Sequence, residues 1–297
     1  MTIEGVFVAG AGLMGHGIAQ VHAAIGKDVW LYEPDLARAV AGRDRIAGNL
    51  ERAVARGQLE PPARDAALAR VRPTDRLADV AAADLVVEAV YEEIDVKRRL
   101  WAELDGLALP DAIFASNTSS IAIADLAAAV SVPRRSRFVG MHFFSPVPVM
   151  RLVELIRSST TSDATEAAIR GLVGELEAHG RERDGAKPWV MIVSADRPGF
   201  IVNRILMPFL AEAIRALEEG LGTAEDIDIG AKRGLNHPMG PLELADFIGL
   251  DVCLGVMRVL HSGLDDERFA PPRMLEELVS AGHLGQKTGR GFHAYPR

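Results

Sequence analysis

Residues 6–15 read Val-Phe-Val-Ala-Gly-Ala-Gly-Leu-Met-Gly, an apolar run that ends in a glycine-rich turn. The run predicts a buried strand, and the apolar residues Ile18, Val21 and Ile25 then recur at helical spacing before Gly26. In a strand–turn–helix unit, glycines let the backbone approach a pyrophosphate, and the helix N-terminus supplies unpaired N–H donors. We therefore predict a dinucleotide-binding turn made of Gly10, Gly12, Leu13, Met14 and Gly15.

A carboxylate follows the second predicted strand, Val29–Tyr32, at the position that accepts the adenosine ribose hydroxyls in this arrangement. It is Glu33, 18 residues beyond Gly15, and Pro34 follows it where a basic residue would favour a 2′-phosphate. Because Glu33 would repel that phosphate, NAD is expected rather than NADP. The alternative is a glycine-rich turn in an unrelated α/β protein.

The rest of the first half alternates short β-rich runs with helical stretches, which predicts a parallel sheet covered by helices. Beyond Asp196 the pattern is helical, including one stretch from Leu242 to Leu260. We predict an α/β fold with a Rossmann-type doubly wound sheet domain at residues 1–195, followed by an all-α C-terminal domain at residues 196–297. Asp163 and Glu166 have the spacing of a helix-capping box, as do Thr223 and Asp226, and residues 180–187 are expected to form a surface loop.

Composition excludes several classes of protein. The 297 residues are 48% apolar and 25% charged, near the globular average, which argues against disorder and fibrous folds. The net charge of −8 is spread along the chain, which argues against nucleic acid as a partner. Cys253, the one cysteine, permits no internal disulfide and no cysteine-based metal site. With no apolar run of about 18 residues and no basic secretion signal near Glu4, we expect a cytoplasmic protein without a membrane segment.

A histidine and a glutamate could form a base for alcohol oxidation. His142 ends the apolar strand Phe138–His142, and Glu154 lies twelve residues later. Twelve extended residues span about 40 Å, but the Pro146-Val147-Pro148 corner can reverse the chain and bring the two together. Imidazole would then accept the hydroxyl proton while the carboxylate orients it. The alternative is a core histidine beside an unrelated surface glutamate.

A run of polar residues and one isolated asparagine could serve either a functional or a structural role. The run Ser116-Asn117-Thr118-Ser119-Ser120 follows a predicted strand and could line the ligand crevice, or Ser119 or Ser120 could cap a helix that starts at Ile121. Asn203 lies in the apolar stretch Phe200–Leu206, where a polar side chain needs a partner. A cleft between the two domains would provide one.

Taken together, these motifs resemble the L-3-hydroxyacyl-CoA dehydrogenases, including the bacterial 3-hydroxybutyryl-CoA enzymes. The resemblance covers nearly the whole chain through several ordered motifs: the turn at residues 10–15, Val87–Val90, Ser116–Ser120, Gly140–Phe144, Pro198–Arg204, Pro238–Pro241 and Lys287–Phe292. It implies a homodimeric enzyme of fatty-acid metabolism that oxidises an (S)-3-hydroxyacyl-CoA to the 3-ketoacyl-CoA with NAD.

The resemblance also implies roles for individual residues. His142 would be the general base and Glu154 its partner, while Ser119 and Asn203 would hold the substrate oxygen and thioester end. The ribose–nicotinamide half of NAD would lie near Glu92, Lys97, Asn117, Ser119 and Lys287, and near Ser145, which stands where the family often has Asn. Asn49 and Arg56 match positions at which relatives contact CoA.

The residues alone leave alternatives open. Arg45, Arg52 and Arg56 share one helical face that could clamp phosphates, or could be a solvated face paired with Asp44 and Glu51.

A dehydrogenase of a free hydroxy acid, of the gulonate or carnitine type, is one competing function, although Phe143 and Phe144 favour an acyl-CoA. A non-enzymatic NAD-binding relative is the other. Apolar helical faces after residue 200 predict a symmetric dimer.

Overall fold

A computed structural model describes residues 2–183 and 188–295 of the chain. Two compact units are present, Met1–Asp196 and Arg197–Arg297. The first contains one eight-stranded sheet whose strand order is β3-β2-β1-β4-β5-β6-β7-β8. The strands are β1 (Gly5–Ala9), β2 (Asp28–Tyr32), β3 (Val71–Thr74), β4 (Leu85–Glu88), β5 (Ile113–Ser116), β6 (Phe138–Phe143), β7 (Leu152–Arg157) and β8 (Val190–Ala195).

Helices flank this sheet and connect its strands. They are α1 (Leu13–Ala24), α2 (Leu36–Ala55), α3 (Pro61–Arg70), α4 (Ile94–Asp105), α5 (Ile123–Ala127), α6 (Val132–Arg135), α7 (Val147–Met150) and α8 (Asp163–Arg183). Neighbouring strands are parallel except β6 and β7, which are antiparallel. The predicted α/β fold class is confirmed.

The central strands are buried because helices cover both faces of the sheet. Every residue of β1, β4, β5 and β6 is buried, as expected for strands that read as continuous apolar runs. The chain passes from β1 to β2 and β3 on one side, then returns to β4 on the other. In doubly wound proteins, ligands bind beyond the carboxyl ends of the strands at such a reversal.

The second unit is helical, with five helices in its described part: α9 (Val202–Glu218), α10 (Ala224–Gly234), α11 (Pro241–Ile248), α12 (Leu250–Leu264) and α13 (Arg273–Ser280). Its core is formed by apolar side chains of α9, α11, α12 and α13, among them Leu210, Leu242, Met257 and Leu275. Among the described residues, no single helix is long and apolar enough to cross a membrane. The pair α11 and α12, bent by 97°, meets the length and composition test only when its two helices are taken together.

Several sequence predictions were wrong in detail. The single helix expected over Leu242–Leu260 is two helices, because Gly249 at φ 105° breaks it. Strand β3 was missed because Pro73 interrupts its pattern. Helix α3 was missed because Ala67 is its one buried residue, so that no apolar face marks it in the sequence.

Helix caps gave mixed results. The Thr223–Asp226 capping box is confirmed. At the start of α8, however, the hydroxyl of Ser162, not a side chain of the predicted Asp163–Glu166 box, accepts the N–H of Thr165. The loop predicted at residues 180–187 was wrong at its start, because α8 runs to Arg183; residues 184–187 lie outside the described residues.

Candidate active site

The glycine-rich turn joins β1 to α1 at the carboxyl edge of the sheet. At Gly10, with φ 103°, a Cβ would lie 2.5 Å from the carbonyl oxygen of Ala89, and at Gly15 it would lie 1.7 Å from that of Gly10. A Cβ at Gly12 would meet nothing within 4 Å. Gly10 and Gly15 therefore allow close backbone packing, while Gly12 leaves open space at the N-terminus of α1. This cradle fits a dinucleotide pyrophosphate.

Glu33 lies directly after β2 at the same edge. Its Oε1 accepts the backbone N–H of Ala11 at 2.9 Å, so the carboxylate is tied to the glycine-rich turn. The guanidinium of Arg38 lies 3.9 Å from Glu33 and donates to the hydroxyl of Tyr91 at 3.5 Å. The carboxylate can accept ribose hydroxyls beside the pyrophosphate cradle, and these residues fit NAD.

A buried polar network joins the ends of β4 and β5. Lys97 on α4 is 1% exposed and pairs with Glu88 and, at 3.1 Å, with Glu92. Burial lowers the pKa of Lys97, but the two carboxylates outweigh it, so the pKa is raised overall. Burial likewise raises the pKa of Glu92, but Lys97 and hydroxyl donors hold it below its usual range. Lys97 and Glu92 are therefore both charged at neutral pH.

The loop after β5 is held by Glu92. Its Oε1 accepts the hydroxyl of Thr118, the N–H of Ser119 at 3.0 Å and the hydroxyl of Ser120 at 2.9 Å. The helix that Ser119 or Ser120 was proposed to cap does not start at Ile121: α5 starts at Ile123. The carboxylate of Asp196 caps it, accepting the first two N–H groups at 2.8 Å each.

His142 and Glu154 are brought together by the antiparallel pairing of β6 and β7. They are direct partners in the register, and Nδ1 of His142 lies 3.0 Å from Oε2 of Glu154. The short helix α7 and Arg151, at φ 51°, make the reversal that the proline corner predicted. Glu154 is fully buried. A carboxylate can only accept, so Nδ1 carries the proton and the lone pair is placed at Nε2.

Asn117 connects this pair to the polar network. Its Oδ1 accepts the N–H of Phe143 at 2.8 Å, and its own N–H donates to the carbonyl of Glu88 at 2.8 Å. The residue beside His142 is therefore tied to the ends of β4 and β5. Ser145 is exposed and precedes Pro146 through a cis peptide bond.

Comparison with known proteins places this geometry in a family. Residues 5–180 match the 3-hydroxyacyl-CoA dehydrogenase NAD binding domain, and residues 199–295 match the 3-hydroxyacyl-CoA dehydrogenase C-terminal domain. The chain belongs to the 3-hydroxyacyl-CoA dehydrogenase family. It is thus an NAD-dependent oxidoreductase, and its NAD-binding domain contains the glycine-rich turn, Glu33, the polar network and the His–Glu pair.

Individual relatives are similar over their full length. A 3-hydroxybutyryl-CoA dehydrogenase of Bradyrhizobium diazoefficiens is 48% identical over 99% of this chain and 96% of its own. One of Mycobacterium tuberculosis is 43% identical over 99% of each chain. The crystal structure of (S)-3-hydroxybutyryl-CoA dehydrogenase from Ralstonia eutropha superposes with a TM-score of 0.92, at 44% identity and full coverage of both chains.

Two residues that the dehydrogenase family implies in the site lie in the second unit. Asn203 is a buried residue of α9. Lys287 is exposed, and its Nζ lies 2.5 Å from Oδ1 of Asp251 on α12.

The segment after Lys287 is held by two buried carboxylates that the sequence analysis missed. Asp246 accepts the N–H groups of Phe292 and His293 and the hydroxyl of Tyr295, while Asp228 accepts from Nε2 of His293 at 2.7 Å. Burial raises the pKa of Asp246. The signal that could have revealed Asp246 is an acidic residue within a stretch that is otherwise apolar and helical.

The basic face of α2 in this dehydrogenase lines two neighbouring cavities of about 550 and 530 Å³. Asn49 and Arg52 border both, Arg45 the first and Arg56 the second. Arg52 donates to Oδ1 of Asn49 at 2.6 Å, and Asn49 donates to Gln20 at 3.0 Å. Arg45, Arg52 and Arg56 are exposed, as the alternative of a solvated face expects. Within residues 2–183 and 188–295, however, no ion pair joins them to Asp44 or Glu51.

Proposed function

We propose that this enzyme reversibly oxidises a short-chain (S)-3-hydroxyacyl-CoA, such as 3-hydroxybutyryl-CoA, to the 3-ketoacyl-CoA with His142 as the general base. The observation that carries the proposal is the 3.0 Å contact between Nδ1 of His142 and Oε2 of Glu154. This pair lies at the carboxyl edge of the sheet, where the glycine-rich turn also lies.

The chemistry divides between the cofactor and the chain. NAD, when bound, supplies the nicotinamide ring that accepts a hydride from the carbinol carbon. Nε2 of His142 takes the hydroxyl proton as that hydride leaves, and returns it to the carbonyl oxygen in the reverse direction. Buried Glu154 keeps the proton of the neutral ring on Nδ1 and stabilises the imidazolium that forms.

The remaining site residues are assigned by family resemblance. Ser119 and Asn203 would hold the substrate oxygen and thioester end; Glu92, Lys97, Asn117, Ser145 and Lys287 would bind the nicotinamide half of NAD. The contacts of Glu92 with Lys97 and with the N–H of Ser119 support this assignment for the first unit. Residues 1–195 would thus be the NAD-binding domain and residues 196–297 the substrate and dimerisation domain.

A CoA thioester is the preferred substrate class for two reasons. The relatives from Bradyrhizobium diazoefficiens and Mycobacterium tuberculosis are named 3-hydroxybutyryl-CoA dehydrogenases, and the α2 face offers Asn49 and Arg56 beside a cavity that could hold the CoA phosphates. Turnover of acetoacetyl-CoA should exceed that of free acetoacetate by at least about 100-fold, the loss expected when remote binding energy is removed. Equal rates would favour the gulonate- or carnitine-type alternative.

The base assignment is tested with His142→Ala. We expect NADH affinity, measured by fluorescence titration, to stay within about twofold while kcat falls by roughly 100-fold or more. A variant that retains near wild-type turnover would contradict the assignment. Loss of NADH binding together with activity would point to a folding defect, which the melting temperature would reveal.

The homodimer is supported by exposed apolar side chains on the second unit, among them Ile205, Leu235 and Phe247. Sedimentation equilibrium should give twice the chain mass. The variant Ile205→Glu should shift the protein toward the monomer. A wild-type protein that is monomeric at micromolar concentration would overturn this part of the proposal. We place the protein in the cytoplasm, since its cysteine, Cys253, is a buried free thiol that needs no oxidising compartment.

A further inference from the structure

Glu88 is a fully buried carboxylate that none of the roles above uses. It is the last residue of β4, where the strand ends at the crevice. An ionised group at such a position is costly unless it is paired and hydrogen-bonded. Its contacts therefore indicate what it does.

Three donors surround Glu88. Lys97 pairs with Oε1, the N–H of Val90 donates to the same oxygen at 2.9 Å, and the hydroxyl of Ser116 donates to Oε2 at 2.7 Å. Because every partner is a donor, the group is held as a carboxylate. We call Glu88, Lys97 and Glu92 the acid–lysine triad.

The triad carries a net negative charge. Two carboxylates and one ammonium leave one negative charge, in a region where Glu88 and Lys97 are almost fully excluded from water. Electrostatic interactions are weakly screened there, so the charge is felt by a group bound at the edge of the sheet.

The position of the triad in the sheet indicates which half of the cofactor would bind near it. In a doubly wound sheet, β1, β2 and β3 form one mononucleotide-binding half, and β4, β5 and β6 form the other. Glu33, after β2, belongs to the adenosine half. Glu88 at the end of β4 and Ser116 at the end of β5 belong to the nicotinamide half, as does His142 on β6.

We propose that Glu88, acting through Lys97, is a positioning residue that biases bound cofactor toward its oxidised form. The oxidised nicotinamide ring is positively charged and the reduced ring is neutral, so a net negative triad stabilises the first relative to the second. A neutral triad would lose that preference. The proposal rests on NAD binding at this edge and not on the identity of the acyl substrate.

The test is the ratio of the dissociation constants of NAD⁺ and NADH, measured by calorimetry without acyl substrate. Glu88→Gln removes one negative charge, so we expect the ratio Kd(NAD⁺)/Kd(NADH) to rise by roughly threefold to tenfold. Glu92→Gln removes the same charge from a half-exposed side chain and should shift the ratio in the same direction, which keeps the test available if Glu88→Gln fails to fold.

A charge-restoring variant separates electrostatics from structure. Glu88→Gln combined with Lys97→Met leaves Glu92 as the sole charge, so the net charge equals that of the wild type and the ratio should return toward its original value. Asp105→Asn is the matched control, because it breaks the buried Asp105–Arg134 pair at the far end of α4. It should lower the melting temperature and leave the ratio unchanged.

Two results would overturn the proposal. One is an unchanged ratio in folded Glu88→Gln or Glu92→Gln. The other is a ratio that rises further, instead of returning, in the double variant. Either would leave the acyl-CoA reaction untouched, because turnover of acetoacetyl-CoA is measured separately.

Discussion

The contact between His142 and Glu154 is the smallest feature on which the proposed chemistry depends. Replacing Glu154 by Gln keeps the size of the side chain but removes the charge that stabilises the imidazolium. We expect kcat to fall about 100-fold with NADH affinity unchanged within about twofold. Steady-state kinetics and NADH titration check this, and a kcat above one third of the wild-type value would contradict a role for the carboxylate.

We expect selectivity between NAD and NADP to depend on Glu33 and its neighbour Arg38, whose charged groups are 3.9 Å apart. Glu33→Ser removes the repulsion toward a 2′-phosphate and leaves the guanidinium able to pair with it. The ratio of kcat/KM for NADPH to that for NADH should rise by roughly 10-fold or more. Adding Arg38→Ala to this variant should cancel most of the rise in that ratio. If the ratio stays high, Arg38 does not pair with the 2′-phosphate.

The turn between β1 and α1 acts as one element, and two of its glycines have separable roles. A Cβ at Gly15 would clash with the carbonyl of Gly10, whereas one at Gly12 would enter open space. Gly15→Ala should therefore lower both the melting temperature and NADH affinity. Gly12→Ala should keep the wild-type melting temperature within about 2 °C and still weaken NADH binding, because its methyl group fills the pyrophosphate cradle. Equal destabilisation by both would contradict this division.

The predicted elements were correct where one physical signal dominates. The buried strands β1, β4 and β6 are apolar runs that no competing pattern obscures. The break at Gly249 was missed because apolar spacing continues across it, and only the backbone conformation, φ 105°, separates α11 from α12. The cap of α5 was missed because Asp196 lies more than 70 residues away along the chain.

The stability of the whole molecule should depend on pH through His22. Burial lowers the pKa of His22 to about 4, while Nδ1 bonds to the carbonyl of Ile18. In the unfolded chain, His22 therefore takes up a proton at about pH 6.5. In the folded chain, it does so only at about pH 4. As pH falls through that window, the free energy of unfolding should drop by up to about 3 kcal/mol from this group alone.

The measurement is urea unfolding at pH 7, 6 and 5 for the wild type and His22→Gln. The variant loses the packing of the ring near Phe143 but contributes no titration. The difference in unfolding free energy between the two proteins should shrink or change sign as the pH falls. Parallel curves would show that His22 is not buried as a neutral ring.

Local patterns by themselves determined the fold class, the dinucleotide turn and the acidic residue after β2. These depend on the spacing of apolar residues and glycines over short segments, which one stretch of chain contains in full. The comparison with relatives agrees with the family that these motifs together predicted.

The tertiary structure decided which of the two readings of His142 and Ser119 the geometry favours, and it alone revealed the contacts of Glu88. Hydrogen bonds between side chains depend on strand register and burial, and both arise only when distant segments pack. The β6–β7 register places Glu154 against His142 across twelve residues, and Glu92 reaches Ser119 across 27. The sequence supplies these groups, but packing sets the distances at which they interact.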